Sequence, residues 1–127
     1  MQGPGRHGIV LFAHGSREAA WRAPIEAVAE RIRQLAPGRP VACAYLEHTA
    51  PDLPTAVDRL LAGGADAVTV WPMFLGVGRH AREDLPRLLQ ALRTQHPQVR
   101  FSLQPAISEH PEVLAAMAHA MLDAPSP

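Results

Sequence analysis

Histidine and acidic side chains follow the apolar runs of this sequence. His14 ends the first run, Glu47 ends the second, and His80 follows the third through a glycine-rich loop. Neutral imidazole binds divalent iron, cobalt, nickel and zinc, and histidine exchanges protons near neutral pH. Two histidines and one carboxylate coordinate such an ion incompletely, which suits either a site that passes its metal on or a hydrolytic metal with bound water. Without a His-Glu-x-x-His spacing, nothing favours hydrolysis.

Each of the three residues also has a structural alternative. For His14 it is a polar residue that satisfies the backbone of a tight turn. His80 precedes the acidic pair Glu83 and Asp84, and this pair suits the cap of the third predicted helix. Glu47 is equally suited to partner a helix terminus.

Other polar or aromatic residues near this edge favour structural roles. Ser16 lacks a Gly-x-Ser-x-Gly elbow, which favours hydrogen bonding to the turn or helix start over a role as nucleophile. His48 and His110 follow the second and fourth strands, and a rim position is favoured for both. Cys43 is expected in the core. Trp21 either covers a ligand or anchors the first helix.

The composition excludes several kinds of site. All twelve basic residues are arginines, so a Walker-A lysine, a Schiff-base lysine and a Ser-Lys nucleophile are absent. The single cysteine excludes an internal disulfide, a cysteine-rich zinc site and a self-contained iron–sulfur cluster. The Gly76-x-Gly78 loop follows the third strand instead of the first, so it fails the dinucleotide-binding fingerprint. We expect no organic cofactor.

Charge and hydropathy limit the partners. Twelve arginines balance twelve acidic residues, and this net charge of zero disfavours nucleic acid, because phosphate binding needs a basic face. No run approaches the roughly 18 apolar residues of a membrane span, and the first residues lack the apolar core of a secretion signal. We expect a cytoplasmic protein with neither a membrane nor a nucleic-acid partner.

Four strand-like runs alternate with four segments of helical periodicity. The runs are residues 8–14, 41–47, 67–74 and 100–107. Each helical segment places its apolar residues on one face, and the last segment is expected to bury that face: Ile25, Val28, Ala29, Ile32 and Leu35; Leu53, Ala56, Val57, Leu60 and Leu61; Leu85, Leu88, Leu89 and Leu92; Val113, Leu114, Met117, Ala120 and Met121. One domain over 1–127 is expected, with a flexible leader at 1–7 and a flexible tail at 123–127.

This alternation predicts an α/β three-layer sandwich with a four-stranded parallel sheet, because such strands pair through right-handed crossovers. The predicted strand order is 2-1-3-4, the flavodoxin-like winding, with its topological switch between strands one and three. Ligands bind at such a switch, outside the carboxyl ends of the strands. His14 and His80 are therefore expected to face one cavity.

Four motifs taken together resemble the class II tetrapyrrole chelatases, in particular the small sirohydrochlorin cobaltochelatases of the CbiX type and their SirB-type ferrochelatase relatives. The motifs are His14-Gly15-Ser16-Arg17; Tyr45-Leu46-Glu47 with Pro51; Pro72-Met73-Phe74-Leu75 with Gly78, His80, Asp84 and Pro86; and Pro105-Ala106 with His110-Pro111. They cover nearly the whole chain in order. One departure is Arg79, where an aromatic or neutral residue is expected beside the histidine.

The resemblance implies a chelatase-like half-domain that works as a homodimer. It implies a lyase that inserts cobalt, iron or nickel into sirohydrochlorin or a related tetrapyrrole without ATP, in cobalamin or siroheme biosynthesis. His14 and His80 are carried over as the metal-binding and catalytic pair, with Glu47 as a further catalytic residue. Contacts to the substrate are assigned to Ser16, Arg17, Arg79 and Arg82, because arginine pairs well with carboxylates.

Two other functions use the same fold. A non-catalytic carrier would bind metal or tetrapyrrole through the same residues and deliver it elsewhere. A structural or interaction module would carry the edge histidines incidentally and bind no metal.

Overall fold

The computed structural model describes residues 6–76 and 78–127, except for the side chain of His80. Strands and helices alternate along the chain, as the periodicity predicts. In order they are β1 (His7–Ala13), α1 (Ala23–Leu35), β2 (Val41–Tyr45), α2 (Leu53–Ala62), β3 (Ala67–Pro72), α3 (Arg79–Gln95), β4 (Arg100–Leu103) and α4 (Pro111–Leu122). Short 3-10 turns at Ala19–Arg22 and Ile107–Glu109 precede α1 and α4.

The four strands form one parallel sheet in the order β2-β1-β3-β4, which confirms the predicted topology. In the register of the sheet, Phe12 of β1 lies beside Ala44 of β2 and Pro72 of β3. Because the chain leaves β1 toward β2 on one side and later adds β3 on the other, the switch point lies at the carboxyl ends of β1 and β3.

The hydrophobic core lies on the face of the sheet that α2 and α3 cover. Alternate strand residues point to this face and meet the apolar stripes of the two helices. The strands contribute Val10, Phe12, Ala44, Val68, Val70 and Phe101, and the helices contribute Leu53, Ala56, Val57, Leu60, Ala81, Leu85, Leu89 and Leu92. Asp52 starts α2 as its N-cap, since its carboxylate accepts a hydrogen bond from Thr55 N at 2.9 Å.

The opposite face is covered much less completely, and here the burial expected for the last helix is wrong. On α1 only Ala29 is buried, while Val28 and Leu35 are exposed. On α4, Leu114, Ala120 and Met121 are exposed and Val113 and Met117 are half-buried. Periodicity identifies residues that share a helix face, but it does not show whether another element covers that face. A groove separates α1 from α4, and the residues that flank it stay open to solvent.

The chain enters the sheet earlier than expected. His7, predicted to belong to a leader, is the first residue of β1, and its Nε2 lies 2.6 Å from Thr69 Oγ1. The predicted leader residues 1–5 lie outside the described residues, and residues 123–127 follow α4 and are exposed. Within the described ranges, no helix has the length and apolar character needed to cross a membrane.

Candidate functional site

His14 follows the last residue of β1, at the switch point of the sheet. Its side chain is exposed, while its ring lies against the buried ring of Phe74, with 4.4 Å between the ring centroids and a tilt of 36°. Phe74 therefore limits the rotation of the imidazole and leaves the rest of the ring open to solvent. This arrangement suits a ligand or a base for an external group better than a residue that only satisfies the turn.

Glu47 lies beside His14 because the ladder between β1 and β2 continues past the end of both strands. Leu46 N donates to Ala13 O at 2.9 Å, and Glu47 N donates to His14 O at 3.0 Å. The Glu47 carboxylate is exposed and lies 3.7 Å from Nε2 of the neighbouring His48. The backbone thus brings the residues that carry a carboxylate and an imidazole to the same edge of the sheet.

Gly15 permits this close approach of the two loops. Its φ is +89°, and a Cβ placed on it would lie 1.9 Å from Glu47 O. No side chain fits there without moving the backbone of Glu47. The sequence placed Gly15 in a turn motif but gave no sign of this contact, because residues 32 positions apart make it.

Thr49 ties the same two loops together from the other side. Its Oγ1 accepts from Ser16 N at 3.0 Å and donates to Ser16 O at 2.7 Å. The Ser16 hydroxyl accepts from Glu18 N at 3.1 Å, which confirms its predicted role in the turn. Sequence reasoning missed Thr49 and the ring support from Phe74, since both act through contacts distant in the chain.

His80 lies in the first turn of α3, directly after the switch point, and its side chain lies outside the described part of the chain. The predicted pairing of His14 with His80 therefore stays a prediction. The first turn of α3 contains no acidic residue, so Glu83 and Asp84 do not cap it as the alternative interpretation expected. Among the described side chains, no three His, Cys, Asp or Glu residues converge on a common metal position.

The other histidines at this edge have local partners. His110 caps α4, since its Nδ1 accepts from Glu112 N at 3.2 Å. His48 lies beside Glu47 and has a φ of +63°. These positions agree with the rim roles expected for both.

The three arginines assigned to the substrate are exposed but do not form one cluster. Arg17 lines a cavity of about 240 Å³ that it shares with Ser16 and His48. Arg82 lines a different cavity of about 510 Å³ between the loops that follow β3 and β4. Arg79 is the first residue of α3. Arg17 and Arg82 therefore lie on opposite sides of the switch point.

A cavity of about 180 Å³ adjoins His14, lined by Trp21, Tyr45 and Met73 among others. The side chain of Trp21 is largely exposed at its mouth. The Tyr45 hydroxyl is buried, and this burial, with the neighbouring Cys43 as a smaller cause, raises the pKa of Tyr45 to about 12. Cys43, expected in the core, is half-buried, and burial also raises the pKa of its thiol.

Relatives and solved structures agree with this architecture. The chain is 35% identical over 82 residues to a sirohydrochlorin cobaltochelatase from Methanothermobacter thermautotrophicus, a match that covers 65% of this chain and 57% of that protein. It superposes on a putative cobalamin biosynthesis CbiX protein from Marinobacter aquaeolei with a TM-score of 0.80 and 34% identity, covering 92% of this chain and 95% of the other.

A longer protein contains the same unit. The sirohydrochlorin chelatase SirB from Bacillus subtilis subspecies spizizenii, solved in complex with cobalt, matches with a TM-score of 0.75 and 27% identity. The match covers 92% of this chain but 50% of SirB, so this chain spans about half the length of SirB. The CbiX family model matches residues 8–124, nearly the whole chain. The family predicted from the motifs is thus confirmed: the chain belongs to the CbiX family.

Proposed function

We propose that this chain inserts a divalent metal ion into sirohydrochlorin or a related tetrapyrrole without ATP, as a cytoplasmic lyase of cobalamin or siroheme biosynthesis. The metal is cobalt, with iron and nickel as the other candidates. The observation that carries the proposal is the exposed imidazole of His14 at the switch point of a chain that belongs to the CbiX family. The relative from Methanothermobacter is a sirohydrochlorin cobaltochelatase and SirB is a sirohydrochlorin chelatase, which supports the same substrate class.

The metal is a substrate in this reaction, so the protein must hold it weakly enough to release it. His14 and His80 bind the ion through neutral imidazoles, and the remaining coordination positions stay available to water and to the macrocycle. Phe74 orients the His14 ring by packing against it, and its hydrocarbon ring occupies neither imidazole nitrogen as a hydrogen-bond partner. A ligand set of two histidines is consistent with transfer, since a closed four-ligand site would retain the ion.

Insertion replaces two pyrrole N–H protons with one dication, so two protons must leave the macrocycle. Glu47 is a suitable acceptor, because its exposed carboxylate lies on the loop bonded to the backbone of His14. Either histidine can accept a proton as well, because a neutral imidazole is a general base. Arg17, Arg79 and Arg82 pair with the substrate's peripheral carboxylates from both sides of the switch point, and Ser16 donates to the same groups.

The active species in this proposal is a homodimer. SirB is about twice as long as this chain, and this chain matches half of it. Two copies of the shorter chain would supply an equivalent second half.

The direct test is metal insertion with purified protein and excess sirohydrochlorin, followed by absorbance. His14→Ala and His80→Ala should each lower turnover by about 100-fold or more, because ligand and proton acceptor are lost together. His119→Ala is the matched control, since His119 is exposed in the last turn of α4 and should leave turnover unchanged. A Co²⁺ titration followed in the visible spectrum should show weaker binding for the two site variants only.

The outcomes separate the three candidate functions. Many turnovers per chain support the enzyme. Metallation that stops after one equivalent supports the carrier. A visible Co²⁺ spectrum that does not change when protein is added supports the structural module. Full turnover in folded His14→Ala and His80→Ala protein would refute the assignment of the pair.

A further inference from the structure

Each of the loops that follow β1, β2 and β3 presents one large apolar side chain to solvent. Trp21 lies in the 3-10 turn after β1 and is 68% exposed. Leu46 follows β2 and is 39% exposed, and Leu75 follows β3 and is 79% exposed. We term these three residues the apolar rim. One isolated apolar side chain on a surface is ordinary, but three at one edge of a sheet indicate a surface that another molecule covers.

Contacts between the loops hold the apolar rim next to His14. Trp21 and His14 line the same cavity of about 180 Å³. Leu46 N donates to the carbonyl oxygen of the residue before His14 at 2.9 Å. Leu75 directly follows Phe74, whose ring packs against the imidazole. All three residues of the rim therefore lie on segments that adjoin His14.

The exposure of Trp21 argues against the structural alternative for this residue, in which it anchors the first helix. Anchoring requires the indole to be buried against the helix or the sheet. The 3-10 turn Ala19–Arg22 contains no buried residue, and α1 begins directly after it. An indole has a large apolar surface, and contact with a ligand stabilises it by removing that surface from water. The structure thus favours the other alternative, in which Trp21 covers a ligand.

The cavity between Trp21 and His14 limits how a ligand can be placed there. Its other walls include the side chains of Ile25, Tyr45 and Met73, so the space is largely apolar. Its volume of about 180 Å³ is smaller than the roughly 300 Å³ at which pockets begin to enclose a whole ligand. A large flat ligand must therefore lie across the mouth of the cavity, where Trp21 is exposed.

We propose that the apolar rim is the surface against which the face of the tetrapyrrole macrocycle rests, with the indole of Trp21 stacked on the ring. This inference rests on the proposed function. Transfer of an ion from His14 requires the ring nitrogens to reach the ion, so the centre of the macrocycle must lie over the imidazole. The exposed side chains of the adjoining loops then contact the face of the ring, and a conjugated ring stacks well on an indole.

The charges around the apolar rim match the same ligand. Arg17 lies in the loop of Trp21 and lines a cavity on that side, while Arg82 lines a cavity together with Leu75. The two arginines thus adjoin the rim on opposite sides of the switch point. The macrocycle has an apolar ring at its centre and carboxylates at its periphery. Apolar side chains under the ring and arginines beyond it reproduce this distribution.

Titration of the full chain with metal-free sirohydrochlorin, followed by the absorbance of the macrocycle, tests the rim without metal insertion. Trp21→Ala should raise Kd about tenfold, because stacking and burial of the indole are lost together. Trp21→Phe should recover most of this affinity, since it keeps an aromatic face. Leu75→Ala should raise Kd about threefold. Leu35→Ala is its matched control, because Leu35 is 78% exposed but ends α1 at the opposite edge of the sheet, and it should leave Kd unchanged.

Two further measurements separate a contact with the macrocycle from damage to the site. Far-ultraviolet circular dichroism verifies that the variants fold, as their exposed positions predict. The visible Co²⁺ titration of Trp21→Ala should match wild type, because the indole is not a metal ligand and the segment of His14 stays in place. If Trp21→Ala or Leu75→Ala binds sirohydrochlorin as tightly as Leu35→Ala does, the rim is not the surface under the macrocycle, and the proposed function stands without it. A wild-type chain that binds no sirohydrochlorin would overturn both.

Discussion

Substitution of Gly15 by alanine should disrupt the junction that holds Glu47 beside His14. Two features of Gly15 act together: its φ of +89° and the 1.9 Å that would separate its Cβ from Glu47 O. Further contacts of 3.1 Å to Glu47 C and Tyr45 Cβ leave no free direction for the methyl group. Relief requires the backbone of the β2–α2 loop to move, because the contacted atoms are not the ends of flexible side chains.

The expected destabilisation has two parts. A positive φ costs an alanine about 1–2 kcal/mol relative to glycine. Forcing an extra carbon into packed atoms costs about 1–3 kcal/mol more. Gly15→Ala should therefore lower the free energy of unfolding by about 2–5 kcal/mol, out of the roughly 5–15 kcal/mol typical of a single domain.

The same substitution at two other glycines measures the cost of the positive φ separately from the cost of the steric clash. Gly64 has a φ of +105° and nothing within 4 Å of an added Cβ, so Gly64→Ala should show the backbone cost of about 1–2 kcal/mol alone. Gly38 has an open Cβ position and no positive φ, so Gly38→Ala should range from no change to a gain of about 1 kcal/mol. Urea unfolding of the three variants, with the slope of each transition compared to wild type, measures the series.

The order of the three variants decides the outcome. If Gly15→Ala is no less stable than Gly64→Ala, the close approach of the two loops is not a constraint on the fold, and the reasoning that places Glu47 beside His14 is wrong. Metal insertion by the same protein should fall as well, because the clash moves the backbone of Glu47 relative to that of His14.

Three further predictions concern Asp52, Tyr45 and Thr49. Hydrogen bonding from the Thr55 hydroxyl and N–H lowers the pKa of the Asp52 carboxyl. The stability that this interaction contributes is complete above the pKa of Asp52 in the unfolded chain and is lost as the pH falls through its pKa in the folded chain. In urea unfolding, Asp52→Ala should thus lose about 1 kcal/mol at neutral pH, while Asp52→Asn keeps the cap and loses this acid dependence. The only tyrosine, Tyr45, should ionise near pH 12 in an ultraviolet absorbance titration. The stability that its neutral, buried hydroxyl contributes should be complete below pH 10 and lost as the pH rises toward 12. Ionisation near pH 10 would contradict the burial of the hydroxyl. Thr49→Val should cost about 1–3 kcal/mol, because it leaves both Ser16 backbone groups unpaired; in thermal or urea unfolding the matched exposed control, Thr94→Val, should change stability by less than about 0.5 kcal/mol.

The order of the elements and the topology were predictable because they depend on local periodicity. Four apolar runs between helical stripes leave few arrangements, and the crossover rule then fixes parallel pairing. The position of His14 at the switch follows from the same reasoning, since it needs only the end of one strand and the winding of the sheet. The burial on α2 and α3 was also predictable, because both of those stripes face a covered layer.

The details of the site depend on contacts distant in the chain, which periodicity does not encode. The ring of Phe74 supports His14 from 60 positions away in the sequence, and Thr49 closes the turn at Ser16 from the β2–α2 loop. Phe74 and Thr49 are residue types common at such positions, so nothing in the sequence indicated that they contact the site. Gly15 carried a visible signal as a glycine after a strand, but only the fold shows that the backbone of Glu47 occupies the space of its missing side chain.

The error at α4 has a different origin, and it has an energetic consequence. The apolar stripe on α4 predicted burial, but no residue of this helix is buried in the described chain. Leu114 and Met121 are exposed, so polar substitutions there should change the unfolding free energy by less than about 0.5 kcal/mol. Changes in the core, such as Leu89→Ala, should instead lower the unfolding free energy by about 2–5 kcal/mol. The face of the sheet that α2 and α3 cover therefore carries most of the stability of the single chain.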